Sequence, residues 1–187
     1  MPSDTRLREI QAIELPLMLT WRNSPEVRAN MYTRHEISID EHLAWWAGIQ
    51  GRGDVRYHMF ESAGRPLGIV GFTRIDQTNG NASWAFYAAP NAPRGTGSQM
   101  EFLALEHAFG PMGLHKLYCE VLDFNQPVVR LHEKFGFRIE GTLREHHRLD
   151  ASHVGIVQLG ILAQEWQQMR ADMAKRIQRS MEPRSPS

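Results

Sequence analysis

The feature that most constrains the fold is a glycine-rich turn, PRGTG at residues 93–97, between a predicted strand and a predicted helix. The strand pattern NASWAFYAAP ends at a proline, and the apolar spacing of SQMEFLALEHAF predicts a helix. Successive backbone N–H groups at a helix N-terminus suit an anion such as a pyrophosphate. A turn that only reverses the chain is the alternative, and the residues alone leave both interpretations open. The segment is not a P-loop, because no Gly-Lys-Ser/Thr follows, and it lacks the third glycine of a Rossmann fingerprint.

The rest of the chain alternates between short strand and helix patterns. We expect a first strand in LREIQAIEL, helices beginning at Ser24 and Ser38, and a hairpin around AGR. A strand in HKLYCEVLD, a helix in QPVVRLHEKF closed by Gly136, a hairpin of RIEGTLREHHRL with SHVGIVQLGIL, and a helix in AQEWQQMRADMAKRI follow. This order predicts an α/β (α+β) design, a central mixed and mainly antiparallel sheet flanked by helices. We expect one domain over residues 1–178 and a disordered tail over residues 179–187, because RSMEPRSPS is short, polar and interrupted by prolines.

Composition excludes several classes of protein. The 187 residues are enough for one domain with a sizeable core. Lys plus Arg and Asp plus Glu both number 21, so nothing in the net charge indicates binding to nucleic acid or to an anionic membrane. The chain has no apolar signal core and no run of membrane-spanning length. The single cysteine, Cys119, cannot form an internal disulfide, so we expect a cytoplasmic protein.

A second segment with candidate functional residues is NQPVVRLHEKFG, residues 125–136. In it, Asn125 and His132 are seven residues apart. Two helical turns separate them, so both project from one face. Imidazole is the side chain that changes charge near neutral pH, so His132 is a candidate acid, although a buried or surface histidine is the alternative. No second histidine follows at zinc-protease spacing, and His146 and His147 point to opposite faces of a strand. We therefore expect no metal.

The order of strand, PRGTG turn, helix, strand and then Asn…Leu-His-Glu-Lys-x-Gly-Phe resembles the GNAT N-acetyltransferases over roughly residues 6–168. The resemblance implies a GNAT fold whose sheet is splayed between strands 4 and 5, with acetyl-CoA as co-substrate in the gap. The family turn usually opens with Arg or Gln where this chain has Ala92, so we expect Arg94 to substitute. Backbone N–H groups beside the pantetheine would polarise the thioester carbonyl. The cofactor-binding residues implied in this way are Phe86, Tyr87, Ala88, Arg94, Gly95, Thr96, Gly97, Ser98, Gln99, Asn125 and Arg130.

The same resemblance gives His132 a role. In GNAT enzymes its place is usually taken by a tyrosine that donates a proton to the departing thiolate of coenzyme A. His35 and Glu120 are the candidate bases for the acceptor amine. Cys119 lacks the His–Cys signature of a nucleophile, so a small buried strand residue is the preferred interpretation.

The acceptor is indicated by two conflicting resemblances. The last third of the chain resembles ribosomal-protein alanine acetyltransferases, which implies a protein N-terminus. The segment WRNSPEVRANMYTRHEISIDEHLAWW resembles the pseudaminic-acid-pathway acetyltransferases, which acetylate the 4-amino group of a UDP-linked dideoxy sugar. We favour the small-molecule sugar nucleotide, with Trp45 or Trp46 available for stacking on a ring. A non-catalytic acyl-CoA-binding regulator is a further alternative, and a homodimer is left open. The substrate-binding residues implied are Arg22, Asn23, Met31, Thr33 and His35. For Arg22, a structural ion pair is the alternative interpretation.

Overall fold

The computed structural model describes residues 4–181, which form one seven-stranded sheet with helices on both faces. The strands are β1 (Arg6–Glu9), β2 (Arg56–Ser62), β3 (Arg65–Asp76), β4 (Asn81–Ala88), β5 (Lys116–Leu122), β6 (Arg138–Leu149) and β7 (Ser152–Leu162). The helices are α1 (Leu15–Asn23), α2 (Pro25–Arg28), α3 (Ile39–Ile49), α4 (Thr96–Phe109), α5 (Gln126–Lys134) and α6 (Ala163–Met181), and a 3-10 turn (Ala12–Glu14) precedes α1.

The sheet has the strand order β1-β2-β3-β4-β5-β7-β6, and its neighbouring pairs are antiparallel except for β4 and β5. Those two parallel strands pair only through residues 81–83 and 116–118 and then diverge. The predicted mixed sheet, mainly antiparallel and splayed between strands 4 and 5, is therefore confirmed. The gap lies where β4 meets the glycine-rich turn and β5 meets α5.

Each face of the sheet has its own hydrophobic core. Alternating side chains of β4 supply both, because successive residues of a strand point to opposite faces. Ala82 and Trp84 pack with α4 and α6, whereas Tyr87 and Ala89 pack with α1 and α3. β4 thus carries Trp84 and Phe86 to one face of the sheet and Tyr87 to the other.

The predicted first strand is wrong beyond Glu9. The chain leaves the sheet there and forms α1, in which Leu15, Met18 and Trp21 are buried. A spacing of three residues places these side chains on one face of a helix, and burying that face outweighs the loose alternation that suggested a strand. Pro16 lies in the first turn, where its missing N–H has no helical partner to lose.

The other helix predictions were met in part. The Oγ of Ser38 accepts a hydrogen bond from the Glu41 N–H and caps α3, as predicted. The helix that follows Ser24 is only four residues long, and the Ser24 hydroxyl donates back to the Trp21 carbonyl instead of capping it. The last helix continues to Met181, so the boundary predicted at residue 179 was placed too early. Residues 182–187 of the predicted tail lie outside the described residues. Within residues 4–181, no helix combines the length and apolar character that a membrane span needs.

Candidate active site

The gap between β4 and β5 is a cavity of about 300 Å³. Beyond Ser83, β4 pairs with β3 alone, so every second backbone N–H and C=O of residues 84–88 points toward the gap. Unpaired strand edges of this kind accept an extended ligand as an additional strand. The predicted cofactor residues Phe86, Tyr87, Ala88 and Asn125 line this cavity together with His132 and Glu120.

His132 is buried at the floor of the cavity. Its Nδ1 lies 2.8 Å from Oε1 of Glu101 on α4, and the exposed fractions of the two side chains are 4% and 0%. The rings of Trp84, Phe86 and Phe137 surround the imidazole at centroid distances of 5.2–6.1 Å. Because Nδ1 is engaged by Glu101, Nε2 is the ring nitrogen left for the cavity.

Glu101 lies in an unusual environment for a carboxyl group. Burial raises its pKa, and the hydrogen bond with His132 acts in the opposite direction. Its second oxygen, Oε2, is buried without a hydrogen-bond partner among the described residues. The sequence analysis missed this residue. The signal was present in MEFLALEHAF, because Glu101 occupies the same helical face as the buried Ala104, Leu105 and Ala108.

The glycine-rich turn behaves as the start of a helix. Gly95 is the N-cap residue and has a φ of +94°, a left-handed conformation that favours glycine. Within residues 4–181, the N–H groups of Gly97 and Ser98 have no acceptor in the protein, so they remain available to an anion. Thr96 is used differently, because its hydroxyl donates to the Pro93 carbonyl at 2.7 Å. Hydrogen bonds from this turn to a pyrophosphate would therefore come from main-chain N–H groups and not from the Thr96 hydroxyl.

The turn lies next to the cavity without lining it. A Cβ placed at Gly97 would lie 3.6 Å from Leu131 and 3.7 Å from Phe86, so the start of α4, the helix α5 and β4 meet at this point. Arg94 on the turn and Arg130 on α5 are exposed. Thr96 and Gln99 are buried, so their side chains serve the packing of the turn.

A second cavity, of about 330 Å³, lies on the α1–α3 face of the sheet. Arg22, Glu41, His42, Trp45 and Tyr57 line it, and Trp46 does not. It shares four lining residues with the first cavity, so the two adjoin across β4 and the loop after α2. The shared residues are Met31, Ala85, Phe86 and Tyr87.

The predicted substrate residues divide into two groups. Arg22, Met31 and Thr33 line the second cavity. Nη2 of Arg22 donates to the Thr33 carbonyl at 2.9 Å, whereas Nη1 is buried with no partner among the described residues. Asn23 lies outside, because its amide donates to the Ile37 carbonyl and accepts from the Ile37 N–H, so it holds the loop.

The two candidate bases are separated. The side chain of His35 is 59% exposed, pairs with Glu41 at 3.1 Å and lines neither cavity. Glu120 lines the first cavity, where its carboxylate accepts from the Tyr32 hydroxyl at 3.2 Å and from Gln158. Burial and the neighbouring Glu120 raise the pKa of Tyr32. Of the two candidates, only Glu120 lines the same cavity as His132.

Two further residues of the cavities bear on the chemistry. Cys119 is buried in the core beside the first cavity, and burial raises the pKa of its thiol, which disfavours the nucleophilic thiolate. His42, which the sequence analysis did not assign, has an exposed fraction of 4% and a buried Nε2 with no partner in residues 4–181. Burial lowers its pKa, so it presents a neutral imidazole. In the described part of the chain, no three His, Cys, Asp or Glu side chains could hold one metal ion.

Comparison with known proteins gives consistent matches. Among curated proteins, the chain is similar to the acetyltransferase PseH of Campylobacter jejuni, with 24% identity over 131 residues, or 70% of this chain and 81% of that protein. It is also similar to the prophage-derived uncharacterized N-acetyltransferase YokL of Bacillus subtilis, with 29% identity over 124 residues, 64% of this chain and 69% of that one.

The fold has counterparts among solved structures. The spermidine N-acetyltransferase from Vibrio cholerae, in complex with CoA and spermine, superposes with a TM-score of 0.82 at 23% identity, over 88% of this chain and 99% of that chain. Residues 4–138, more than half of the chain, match the family model of the GNAT acetyltransferase domain. The chain therefore belongs to the GNAT acetyltransferases, enzymes that transfer an acetyl group from acetyl-CoA to an amine.

Proposed function

We propose that this enzyme acetylates an amino group on a nucleotide-linked amino-dideoxy sugar. The observation that carries the proposal is Arg22, whose guanidinium lies in the wall of the second cavity with Nη1 buried and unpartnered. A guanidinium N–H that is buried without an acceptor is costly, and the partial burial of Arg22 lowers its pKa accordingly. An acceptor that supplies oxygen atoms or negative charge removes this cost, as a sugar linked to a diphosphate would.

The remaining wall of the second cavity suits a ring. Trp45 packs edge-on against Tyr57 at a centroid distance of 5.0 Å and is stacked with His42 at 5.3 Å. Aromatic side chains held rigidly by one another form a flat apolar surface, onto which a sugar or a base can pack. Met18 and Ile69 add apolar area on the same side. Sequence resemblance to the pseudaminic-acid-pathway enzymes agrees with this acceptor.

In the proposed reaction, this chain binds both substrates and moves two protons. The coenzyme would occupy the gap between β4 and β5, with its pyrophosphate at the N–H groups of Gly97 and Ser98. The acceptor amine would enter from the second cavity across Ala85 and Met31, which line both spaces. Glu120 would take the proton from the amine, and His132 would donate a proton to the leaving thiolate. Orientation within adjoining cavities supplies the rest of the rate enhancement.

A polyamine is the second candidate acceptor. Three carboxylates, those of Glu26, Glu41 and Glu120, line the two cavities and could neutralise ammonium groups. The polyamine-bound structural neighbour agrees with this alternative. Arg22 opposes it, because a polycation provides no acceptor for the unpartnered Nη1 and repels the guanidinium.

An acceptor panel tests the proposal. Release of free thiol from acetyl-CoA would be measured with a UDP-linked 4-amino-4,6-dideoxy sugar, with spermidine and with a peptide that begins with alanine. We expect the nucleotide sugar to give the highest kcat/KM. A preference for spermidine would establish the polyamine alternative, and a preference for the peptide would establish N-terminal acetylation. No release with any of the three would contradict the proposed acceptor class.

Arg22→Met tests the observation itself. A charge-assisted hydrogen bond contributes about 1.5–3 kcal/mol, so we expect kcat/KM for the nucleotide sugar to fall roughly 10- to 150-fold. The KM for acetyl-CoA should stay unchanged. The matched control is Arg52→Met, because Arg52 is exposed, pairs with Asp54 and lines neither cavity. An equal effect of both substitutions would show that Arg22 does not bind the acceptor.

A further inference from the structure

The buried pair of Glu101 and His132 can hold its protons in two ways. With two protons, it is either a carboxylate beside an imidazolium or a carboxylic acid beside a neutral imidazole. In the first form both ring nitrogens carry hydrogen. In the second form the acid donates to Nδ1, so the ring hydrogen lies on Nε2. Both forms are neutral overall, and both present an N–H from Nε2.

Removal of one proton changes this arrangement. The carboxylate then accepts from Nδ1–H, Nε2 holds a lone pair, and the pair carries one net negative charge. Burial of a net charge is unfavourable, so the surroundings favour the two-proton pair. Oε2 of Glu101 has no hydrogen-bond partner among the described residues, which raises the cost of the ionised carboxylate further.

We propose that Glu101 is a positioning residue that holds a proton on Nε2 of His132, the nitrogen left for the gap between β4 and β5. The inference rests on the acid role proposed above for His132. The observation that supports it is the 2.8 Å hydrogen bond between two fully buried side chains that belong to different helices. Without a carboxyl partner, an imidazole loses its extra proton near neutral pH and cannot then act as a donor from a fixed nitrogen.

The proton transfer balances as follows. The acceptor nitrogen forms a C–N bond as the thioester C–S bond breaks, and the N–H bond of His132 Nε2 breaks as an S–H bond forms. The Glu101–His132 pair then holds one proton and one negative charge, and it recovers the missing proton from solvent before the next turnover. The amine proton leaves separately, so no external oxidant or co-reactant is needed.

Few other titratable groups face the pair. Lys134 on α5 favours the ionised carboxylate by its charge, and Cys119 on β5 carries a thiol whose pKa is raised by burial. Glu120 of β5 and its hydrogen-bond partner Tyr32 line the same cavity as His132. From β4, Trp84 and Phe86 contribute only aromatic rings. The pair is therefore flanked by one cation, one thiol and the hydrogen-bonded Glu120 and Tyr32 of the same cavity.

Glu101→Gln separates charge from packing. Glutamine has the same shape, and its oxygen can still accept from Nδ1–H, but it can neither ionise nor supply a proton. We expect the alkaline limb of the kcat profile to move to lower pH by about 1–3 units, as the loss of an adjacent opposite charge predicts. The KM for acetyl-CoA should stay within about twofold. The control is Glu133→Gln, which removes a charge from the exposed side of α5 and should leave the profile unchanged.

A spectroscopic measurement gives a readout that does not depend on turnover. The protein has nine histidines, so the ¹⁵N ring signals of His132 would be assigned by their absence from the His132→Asn protein. In the wild type at pH 7.5 we expect Nε2 to carry hydrogen, and in Glu101→Gln we expect it to show a lone pair. A lone pair on Nε2 in the wild type would overturn the proposal. This measurement on the wild type can refute the proposal even if the Glu101→Gln protein does not fold.

The results also separate this inference from the proposed function. If His132→Asn left turnover unchanged, the acid role would fail and the role of Glu101 would fail with it. If His132→Asn lowered turnover while Glu101→Gln changed neither the pH profile nor the Nε2 signal, only the role of Glu101 would fail. The choice of acceptor affects neither result, because the alkaline limb and the ¹⁵N signals are compared between variants with one acceptor.

Discussion

His58 makes the stability of the protein depend on pH, away from both cavities. It lies on β2 and packs edge-on against His107 of α4, with a centroid distance of 4.5 Å, and against Phe72 of β3. Burial, the neighbouring His107 and the positive charge of Arg56 lower the pKa of His58 from 6.5 to about 4. Glu9 lies opposite His58 on β1, and its carboxylate is exposed.

The sign of the effect follows from the direction of this shift. Between pH 6.5 and pH 4 the unfolded chain binds a proton at His58 and the folded chain does not, so acidification favours unfolding. Stability is therefore present above pH 6.5 and lost as the pH falls toward 4. Between pH 7.5 and pH 5.0 a fully buried group with this shift would contribute about 2 kcal/mol. His58 keeps some contact with water, so we expect about 1 kcal/mol.

Urea unfolding at the two pH values measures this quantity. We expect the free energy of unfolding of the wild type to fall by about 1 kcal/mol more than that of His58→Gln, because glutamine does not titrate. The matched control is His153→Gln, since His153 is exposed at the start of β7 and its removal should leave the wild-type difference intact. If His58→Gln lost the same stability on acidification as the wild type, the linkage would be wrong.

Two further substitutions test the packing. Cys119→Ala should leave kcat within about twofold. It should lower the free energy of unfolding by about 1 kcal/mol, because a small buried group is removed. Complete inactivation would instead support a covalent mechanism. Gly136→Ala should destabilise by about 1–3 kcal/mol in thermal or urea unfolding, because Gly136 has a φ of +91° and a Cβ there would overlap the Met169 thioether. Gly48→Ala on α3, with open space around it, is the control and should stabilise by about 0.5–1 kcal/mol.

The fold could be predicted where local signals and packing agree. The last hairpin and the helix before Gly136 were predicted nearly to the residue, because turn residues and apolar alternation indicate the same elements. The helix α1 could not be predicted in this way. Its large apolar residues, Leu15, Leu17, Met18, Leu19 and Trp21, show no clear period, and only burial against the sheet selects the three-residue spacing of Leu15, Met18 and Trp21.

The sequence predicted those parts of the site that depend on the order of strand, turn and helix along the chain. It did not predict the contacts between side chains that are distant in sequence. β4, the glycine-rich turn and His132 follow one another in this order along the chain, and that order indicated a binding gap. The contact between His132 and Glu101 joins residues 31 positions apart, and Arg22 of α1 donates to the Thr33 carbonyl of a loop that Asn23 holds at Ile37. Such contacts depend on how helices pack across the sheet. This explains why Asn23 and His35, in the predicted acceptor segment, line neither cavity.

A histidine can take the place of a proton-donating tyrosine only if its ring keeps the donor proton at the working pH. A phenol is neutral with its proton in place and remains so until its pKa of roughly 10, whereas a free imidazole has lost its extra proton near pH 7. A histidine therefore replaces the phenol over the physiological range only if a partner keeps the donor proton on the ring. A buried carboxyl group hydrogen-bonded to Nδ1 meets that condition, and an exposed one would not, because water would screen it. In this chain, Glu101 with 0% exposure and His132 provide this combination. On this reasoning, a chain with histidine at this place and an apolar residue in place of Glu101 would release coenzyme A slowly above neutral pH, whichever amine it acetylates.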